Sequence, residues 1–162
     1  MNDQPPRLLQ RIGALTWTPE FNVVVFAFLI NFPWEFMQAP LFEGMDTAPH
    51  WEAVKGCIRA ALGDALIALI AFWCATLAAH GREWIAAPTR RAITVYLVVG
   101  LGITTMIEAL AVRGHWMASW TYAASMPVVP GLGVGVVPLL QWLVLPVLVV
   151  HFTARQVAGR PR

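Results

Sequence analysis

The segment from Ala60 to Ala79 reads AALGDALIALIAFWCATLAA and has one charged residue, Asp64, in twenty positions. A helix rises about 1.5 Å per residue, so twenty residues are enough to cross the ~30 Å hydrocarbon core of a bilayer. Three further apolar stretches of similar length lie at 21–39, 92–112 and 134–154. The sequence therefore predicts an all-α protein, a bundle of four transmembrane helices.

The composition of the whole chain agrees with a lipid environment. Of its 162 residues, 58% are hydrophobic and only 12% are charged, and the mean hydropathy is +0.62. This length leaves room for one bundle, so we expect residues 1–162 to form a single integral membrane domain. The net charge of +2 gives no reason to propose a nucleic-acid partner.

The distribution of lysine and arginine predicts the orientation of the bundle. Eight of these eleven residues lie in the N-terminal segment, the connection 80–91 and the C-terminal tail, and three lie in the other two connections. Positive charges near a span mark the cytoplasmic side. We therefore expect both termini in the cytoplasm, the connections 41–59 and 113–133 outside, and a location in a bacterial inner membrane.

Three ionisable side chains fall within the predicted spans: Glu35, Asp64 and Glu108. The alternating topology places all three at a similar depth, in the outer third of the bilayer. An ionisable group inside a membrane costs several kcal/mol unless it is paired, solvated or neutral, so such residues usually have a function. These three residues are the candidate catalytic groups.

Polar and aromatic residues accompany the three carboxyl groups. Asn31, Glu35 and Gln38 are spaced at i, i+4 and i+7, which places them on one face of the first helix. Gln141 adds a polar group from the fourth helix at a similar depth. The other candidate substrate-binding residues are aromatic or histidine side chains expected near the outer face: Trp34, His50, His115, Trp116, Trp120, Tyr122 and Trp142.

Three functions are compatible with this set of residues. The first is acid–base catalysis on a lipid, in which one carboxyl donates a proton and another stays ionised. The second is a divalent metal site made of the carboxylates with His50 and His115, but no HExxH spacing is present, so no metal or other cofactor is predicted. The third is non-enzymatic: a membrane subunit, a scaffold, or a proton or ion pathway. Assembly with identical or different subunits stays open in all three.

The segment Asn31-Phe-Pro-Trp34-Glu35-Phe36 resembles the NxxWE element of fungal integral-membrane terpene cyclases that act on meroterpenoid precursors. In that family the glutamate protonates a prenyl epoxide or alkene, so the resemblance implies that Glu35 is a general acid and that the substrate is an isoprenoid. Those cyclases are larger and take a second carboxylate from their last helix, where this chain has Gln141 and His151.

From the residues and the resemblance together, we expect a carboxylate-lined pocket that opens to the outside. The predicted activity is that of a cyclase or isomerase acting on an isoprenoid or another membrane lipid.

Overall fold

The computed structural model describes residues 16–116 and 118–159. They form four long α-helices: α1 (Pro19–Gln38), α2 (His50–Ala79), α3 (Arg90–Val112) and α4 (Val136–Ala158). Each of the four is long and apolar enough to span a membrane. The described residues also contain two short 3-10 helices, Ala39–Leu41 and Arg82–Ile85, and no β-strand. The prediction of an all-α protein with four potential membrane-spanning helices is confirmed.

Helix α2 begins at His50, ten residues before the predicted position 60. The prediction that 41–59 is a loop is therefore wrong for residues 50–59. This extension contains charged residues. Lys55 and Glu52 form an i,i+3 ion pair at 2.7 Å, which stabilises a helix, but their charges interrupt the apolar run that hydropathy detects. Hydropathy detects the part of a helix that can lie in lipid, and it does not detect a polar extension. Helix α4 is also displaced from its predicted range 134–154, because it begins at Val136 and ends at Ala158.

The four helices pack in a ring. Helix α1 contacts α2 and α4, and α3 contacts the same two neighbours. The packed face of α2 is made of alanines that are at most 2% exposed: Ala61, Ala65, Ala68, Ala71 and Ala75. Small residues allow membrane helices to approach closely, and dispersion contacts between them then hold the bundle together. On α3, Gly100 has the same effect, because a Cβ atom there would overlap the ring of Trp142 from α4.

The two ends of the bundle differ. At one end, called the apical end here, residues 39–49 pair with the α3–α4 connection. The N–H of Ala123 donates to the carbonyl of Leu41 at 2.9 Å, and the N–H of Glu43 donates to the carbonyl of Thr121 at 3.0 Å. At the opposite, basal end, where α1 and α3 begin, Arg82 forms an ion pair with Glu20 at 3.0 Å. Backbone pairing thus joins the apical connections to each other, and an ion pair links the α2–α3 connection to α1.

Candidate functional site

Five polar residues meet inside the apical half of the bundle. Asn31, Glu35 and Gln38 come from α1, Asp64 from α2 and Gln141 from α4, and we call this group the polar layer. All of them are at most 8% exposed except Asp64, which is half-buried. The spacing of Asn31, Glu35 and Gln38 along α1 is the one that the sequence predicts. The structure therefore brings together two of the three candidate catalytic carboxyls and three of the polar residues expected around them.

Gln141 is the centre of the polar layer. Its Nε2 atom lies 2.7 Å from Asn31 Oδ1, 2.9 Å from Glu35 Oε1 and 2.8 Å from Asp64 Oδ2. An amide group has two N–H hydrogens, so it can donate fully to two of these three acceptors at one time. Gln141 can therefore satisfy Asn31 and Asp64 together only when another group donates to Glu35.

Gln38 and Asn31 fix the orientation of this network. Gln38 Nε2 donates to Glu35 Oε1 at 2.9 Å and to Gln141 Oε1 at 3.2 Å, while Gln38 Oε1 accepts from the indole N–H of Trp34 at 3.2 Å. Asn31 uses its own N–H group on the carbonyl of Ala27, at 2.7 Å, which leaves its oxygen free to accept from Gln141. Gln38 thus directs a donor to the Glu35 carboxyl, whereas Asn31 presents its oxygen to Gln141.

The carboxyls of Glu35 and Asp64 are close together and lack a cation. Both oxygens lie within 3 Å of the same nitrogen atom, which keeps them less than about 6 Å apart. In the described residues the ion pairs are Lys55 with Glu52 and Arg82 with Glu20, and neither is in the layer. Arg113 donates to the carbonyls of Ala109 and Leu132. Two negative charges at this separation in a buried site would repel strongly.

Glu108 occupies a different environment. Its Oε2 atom accepts hydrogen bonds from the hydroxyl of Tyr122 and from the indole N–H of Trp120, the latter at 3.2 Å. The Tyr122 hydroxyl accepts in turn from the backbone N–H of Gly135 at 2.9 Å. Burial, together with the hydrogen bond to Glu108, raises the pKa of Tyr122 above its ordinary range, so the phenol keeps its proton and remains a donor. Glu108 is the third predicted carboxyl, and it is near enough to Glu35 for electrostatic interaction.

A polar atom on the buried face of α3 has no partner. Among the described residues, the hydroxyl of Thr104 makes no hydrogen bond. The neighbouring hydroxyl of Thr105 does have a partner, because it donates to the carbonyl of Leu101 at 2.7 Å. Most buried polar atoms in proteins are hydrogen-bonded, so an unpartnered one is a sign of a bound water or ligand.

Three candidate substrate-binding residues lie apart from the polar layer. His50, His115 and Trp116 are exposed. His50 is the first residue of α2, fourteen positions before Asp64, or about 21 Å along the helix. No set of three or more His, Cys, Asp or Glu side chains in the described residues is arranged to hold a metal ion. The predicted cluster of carboxylates and histidines is thus divided, with the carboxyls inside and the histidines at the surface.

The sequence predicts a pocket at the layer that opens to the outside. Two cavities of the described residues lie elsewhere in the bundle, and neither is lined by a residue of the polar layer. The larger, of about 610 Å³, is at the basal end and is lined by residues of the α2–α3 connection, including His80, Trp84 and Arg91. The smaller, of about 30 Å³, lies between α3 and α4 beside Tyr96 and Pro146.

No protein-family model, no curated protein and no solved structure matches this chain. The functional argument therefore depends on the geometry of the polar layer and on the chemistry of its residues.

Proposed function

We propose that this chain is an integral membrane protein of a bacterial inner membrane, with both termini in the cytoplasm, that performs acid–base chemistry on an isoprenoid or another membrane lipid. One observation carries the proposal: the carboxyls of Glu35 and Asp64 both lie within 3 Å of the Gln141 amide nitrogen, in a layer that contains no ion pair among the described residues. A purely structural layer would gain nothing from two carboxyls at this position, because neutral amides would make the same hydrogen bonds at a lower desolvation cost.

Glu35 is the proton donor in this mechanism. Mutual repulsion and the absence of a counter-ion favour one proton held between the Glu35 and Asp64 carboxyls, as in other paired carboxyl sites. Gln141 and Gln38 position the two groups through the hydrogen bonds described above. Transfer of the shared proton to an alkene breaks the carboxyl O–H bond, uses the π electrons to form a C–H bond and leaves a carbocation. With an epoxide the proton goes to the oxygen and a C–O bond opens. In both cases the carboxyl pair loses one positive charge and the substrate gains it, so charge is conserved.

Glu108 supplies the second function that acid–base chemistry needs. Two donors, the Tyr122 hydroxyl and the Trp120 indole N–H, stabilise its ionised form. An ionised carboxylate beside aromatic rings can stabilise a developing positive charge and can then accept a proton from it. The two carboxyl environments thus correspond to two roles, with the Glu35–Asp64 pair as the source of the proton and Glu108 as its acceptor.

Asp64 is the place where a lipid would reach the layer. It is half-buried, unlike the other members of the layer. Its neighbour Gly63 is exposed, and a Cβ atom at that position would meet nothing within 4 Å. This open space is on a membrane-spanning helix, so an apolar substrate could approach from the bilayer without passing through water.

The test uses the purified protein in lipid nanodiscs with polyprenyl lipids that carry an alkene or a terminal epoxide, and detects products by mass spectrometry. We expect conversion by the wild type and a decrease of at least ~100-fold in Glu35→Gln, which keeps the side-chain volume but cannot deliver a proton. Glu43→Gln is the matched control, because Glu43 is an exposed glutamate outside the layer. Equal turnover in Glu35→Gln and wild type would contradict the proposal.

A non-enzymatic role is the second candidate, and the burial of the layer is the observation that favours it. Side chains that are at most 8% exposed can hold helices together without admitting a substrate. If no lipid is converted, and Glu35→Gln instead abolishes co-purification of a partner membrane protein, the chain is a subunit of a larger complex.

A further inference from the structure

The basal cavity lies where two of the apolar helices have their ends. Helix α2 ends at Ala79 and α3 begins at Arg90, and residues of these ends and of the connection between them line a cavity of about 610 Å³. Both helices are long and apolar enough to span a membrane, so their ends lie at the level of the lipid headgroups. Cavities of about 300–1,000 Å³ are typical of small-ligand sites. The position and the size of this cavity therefore suit a headgroup from the surrounding bilayer.

The lining of the cavity has an apolar part and a polar part. The apolar part is made of the Trp84 ring and three alanines, Ala78, Ala79 and Ala87. The indole N–H of Trp84 donates to the hydroxyl of Thr76 at 3.1 Å, so this residue offers a ring surface and no free donor. The polar part consists of His80, Glu83, Thr89 and Arg91. Such a lining matches a phospholipid where its headgroup joins the apolar chains, and basic pockets between membrane helices bind lipid headgroups in this way.

Arg91 brings a positive charge that lacks an acidic partner. Among the described residues neither Arg91 nor its neighbour Arg90 forms an ion pair, whereas Arg82 in the same region pairs with Glu20 at 3.0 Å. The first turn of α3 contains both arginines and no acidic residue, and the positive end of the helix dipole adds to their charge. A phosphate group beside Arg91 would relieve this repulsion, and a guanidinium can donate to a phosphate through two parallel N–H groups.

Glu83 brings a negative charge into the same cavity. It forms no ion pair with Arg91 or with another described residue. A purely anionic ligand would be attracted by Arg91 and repelled by Glu83, so it would fit only part of the lining. The headgroup of phosphatidylethanolamine carries both signs, since a two-carbon linker joins its phosphate to a primary ammonium. The ammonium can donate hydrogen bonds to the Glu83 carboxylate while the phosphate contacts Arg91.

We propose that the basal cavity binds the headgroup of one phosphatidylethanolamine molecule, with the phosphate at Arg91 and the ammonium at Glu83. The bound lipid connects the α2–α3 connection to the first turn of α3, and it stabilises the folded protein because it binds only to the folded state. The cavity shares no lining residue with the polar layer. This inference is therefore independent of the acid–base chemistry proposed for that layer.

The first experiment identifies the bound lipid. The purified protein is placed in nanodiscs made from equimolar phosphatidylethanolamine and phosphatidylglycerol with identical acyl chains, and native mass spectrometry then reports which lipids remain bound. We expect one tightly held lipid per chain and an excess of phosphatidylethanolamine of about threefold, the size of effect that a partly exposed ion pair gives. Equal retention of the two lipids, or an excess of phosphatidylglycerol, would overturn the proposal.

Arg91→Gln tests the phosphate contact. We expect this variant to retain about tenfold less phosphatidylethanolamine, because it loses a charge-assisted hydrogen bond. Arg90→Gln is the matched control, since it removes the same charge from the adjacent residue, which does not line the cavity. Both arginines are exposed, so the substitutions leave the core intact, and circular dichroism checks the helical content. An equal loss in the two variants would indicate general attraction to a positive surface and would contradict a specific site.

Glu83→Gln tests the ammonium contact separately. This variant keeps Arg91, so we expect it to retain a lipid but to hold phosphatidylethanolamine and phosphatidylglycerol in the equimolar ratio of the bilayer. Glu43→Gln removes an exposed carboxylate at the apical end, outside the cavity, and should keep the wild-type preference. An unchanged preference in Glu83→Gln would show that this carboxylate does not bind the ammonium, and the proposal would fail. None of these measurements depends on turnover at the polar layer.

Discussion

The substitution Gln141→Leu tests the hydrogen-bond network on which the polar layer depends. Leucine has a similar size and fits a membrane-spanning helix, but it removes the amide group that lies within hydrogen-bond distance of Asn31, Glu35 and Asp64. These acceptors are on α1 and α2, whereas Gln141 is on α4. The substitution therefore removes the polar connection of α4 to two other helices in one step.

The size of the effect follows from the number of hydrogens involved. The Gln141 amide can satisfy two acceptors at a time, and depriving a buried acceptor of its donor costs about 1–3 kcal/mol. Hydrogen bonds between membrane helices average only ~0.6 kcal/mol, which sets the lower limit. The apolar contacts of the new leucine offset part of the loss. We expect Gln141→Leu to lower the free energy of unfolding by about 2 kcal/mol.

The assay is reversible unfolding in detergent micelles, followed by tryptophan fluorescence. Gln156→Leu is the matched control, because it makes the same replacement on the same helix, outside the polar layer and near the basal end. A destabilisation by Gln141→Leu that does not exceed that of Gln156→Leu would refute the network as described.

Further predictions concern packing, titration and topology. Gly100→Ala should destabilise the bundle by about 1–3 kcal/mol in the same assay, because the new methyl group overlaps Trp142, whereas Gly102→Ala, with open space around the new Cβ, should have little effect. Burial raises the pKa of Tyr122 above its ordinary value of 10.0, so its contribution to stability is complete below that pH and decreases as the pH rises further. In a variant where Tyr122 is the only tyrosine, phenolate absorbance near pH 10 in the folded protein would contradict this. Ser119→Cys, in a background without native cysteines, should react with an impermeant maleimide on intact cells, and protection until the cells are permeabilised would invert the proposed topology.

Hydropathy was sufficient to predict the number of spans and their approximate positions, because a lipid environment imposes length and apolarity directly on each helix. It was insufficient for the start of α2. Residues 50–59 are helical although Glu52, Lys55 and Arg59 are charged. Their helix lies outside the apolar span, where composition no longer distinguishes a helix from a polar loop. Helix-forming residues such as Glu52 and Lys55, spaced for an ion pair, were the available signal.

The composition of the polar layer was predictable in part. Helical spacing placed Asn31, Glu35 and Gln38 on one face, and the alternating topology placed Asp64 at the same depth. The central position of Gln141 depends on how α4 is rotated about its own axis. The apolar faces of the four helices are similarly hydrophobic, so the sequence does not specify this rotation. Packing details such as the contact of Gly100 with the Trp142 ring set this rotation, and they are visible only in three dimensions.

The division of the site into two carboxyl environments was not predictable. The sequence placed Trp120 and Tyr122 near the outer face without a partner. In the structure both donate to Glu108, because residues 39–49 pair with the α3–α4 connection and bring that connection over the end of α3. Backbone pairing between two irregular connections leaves no periodic pattern in a sequence. The exposure of His50 and His115 was unpredictable for the same reason, because each of them lies where an irregular connection meets a helix.

The most direct test of the central claim is infrared difference spectroscopy of the purified protein in lipid near neutral pH. The proposal predicts a protonated-carboxyl band in the wild type that is absent from Glu35→Gln and unchanged in Glu43→Gln. The absence of such a band from the wild type, or its persistence unchanged in Glu35→Gln, would show that Glu35 holds no proton to donate and would contradict the proposed function.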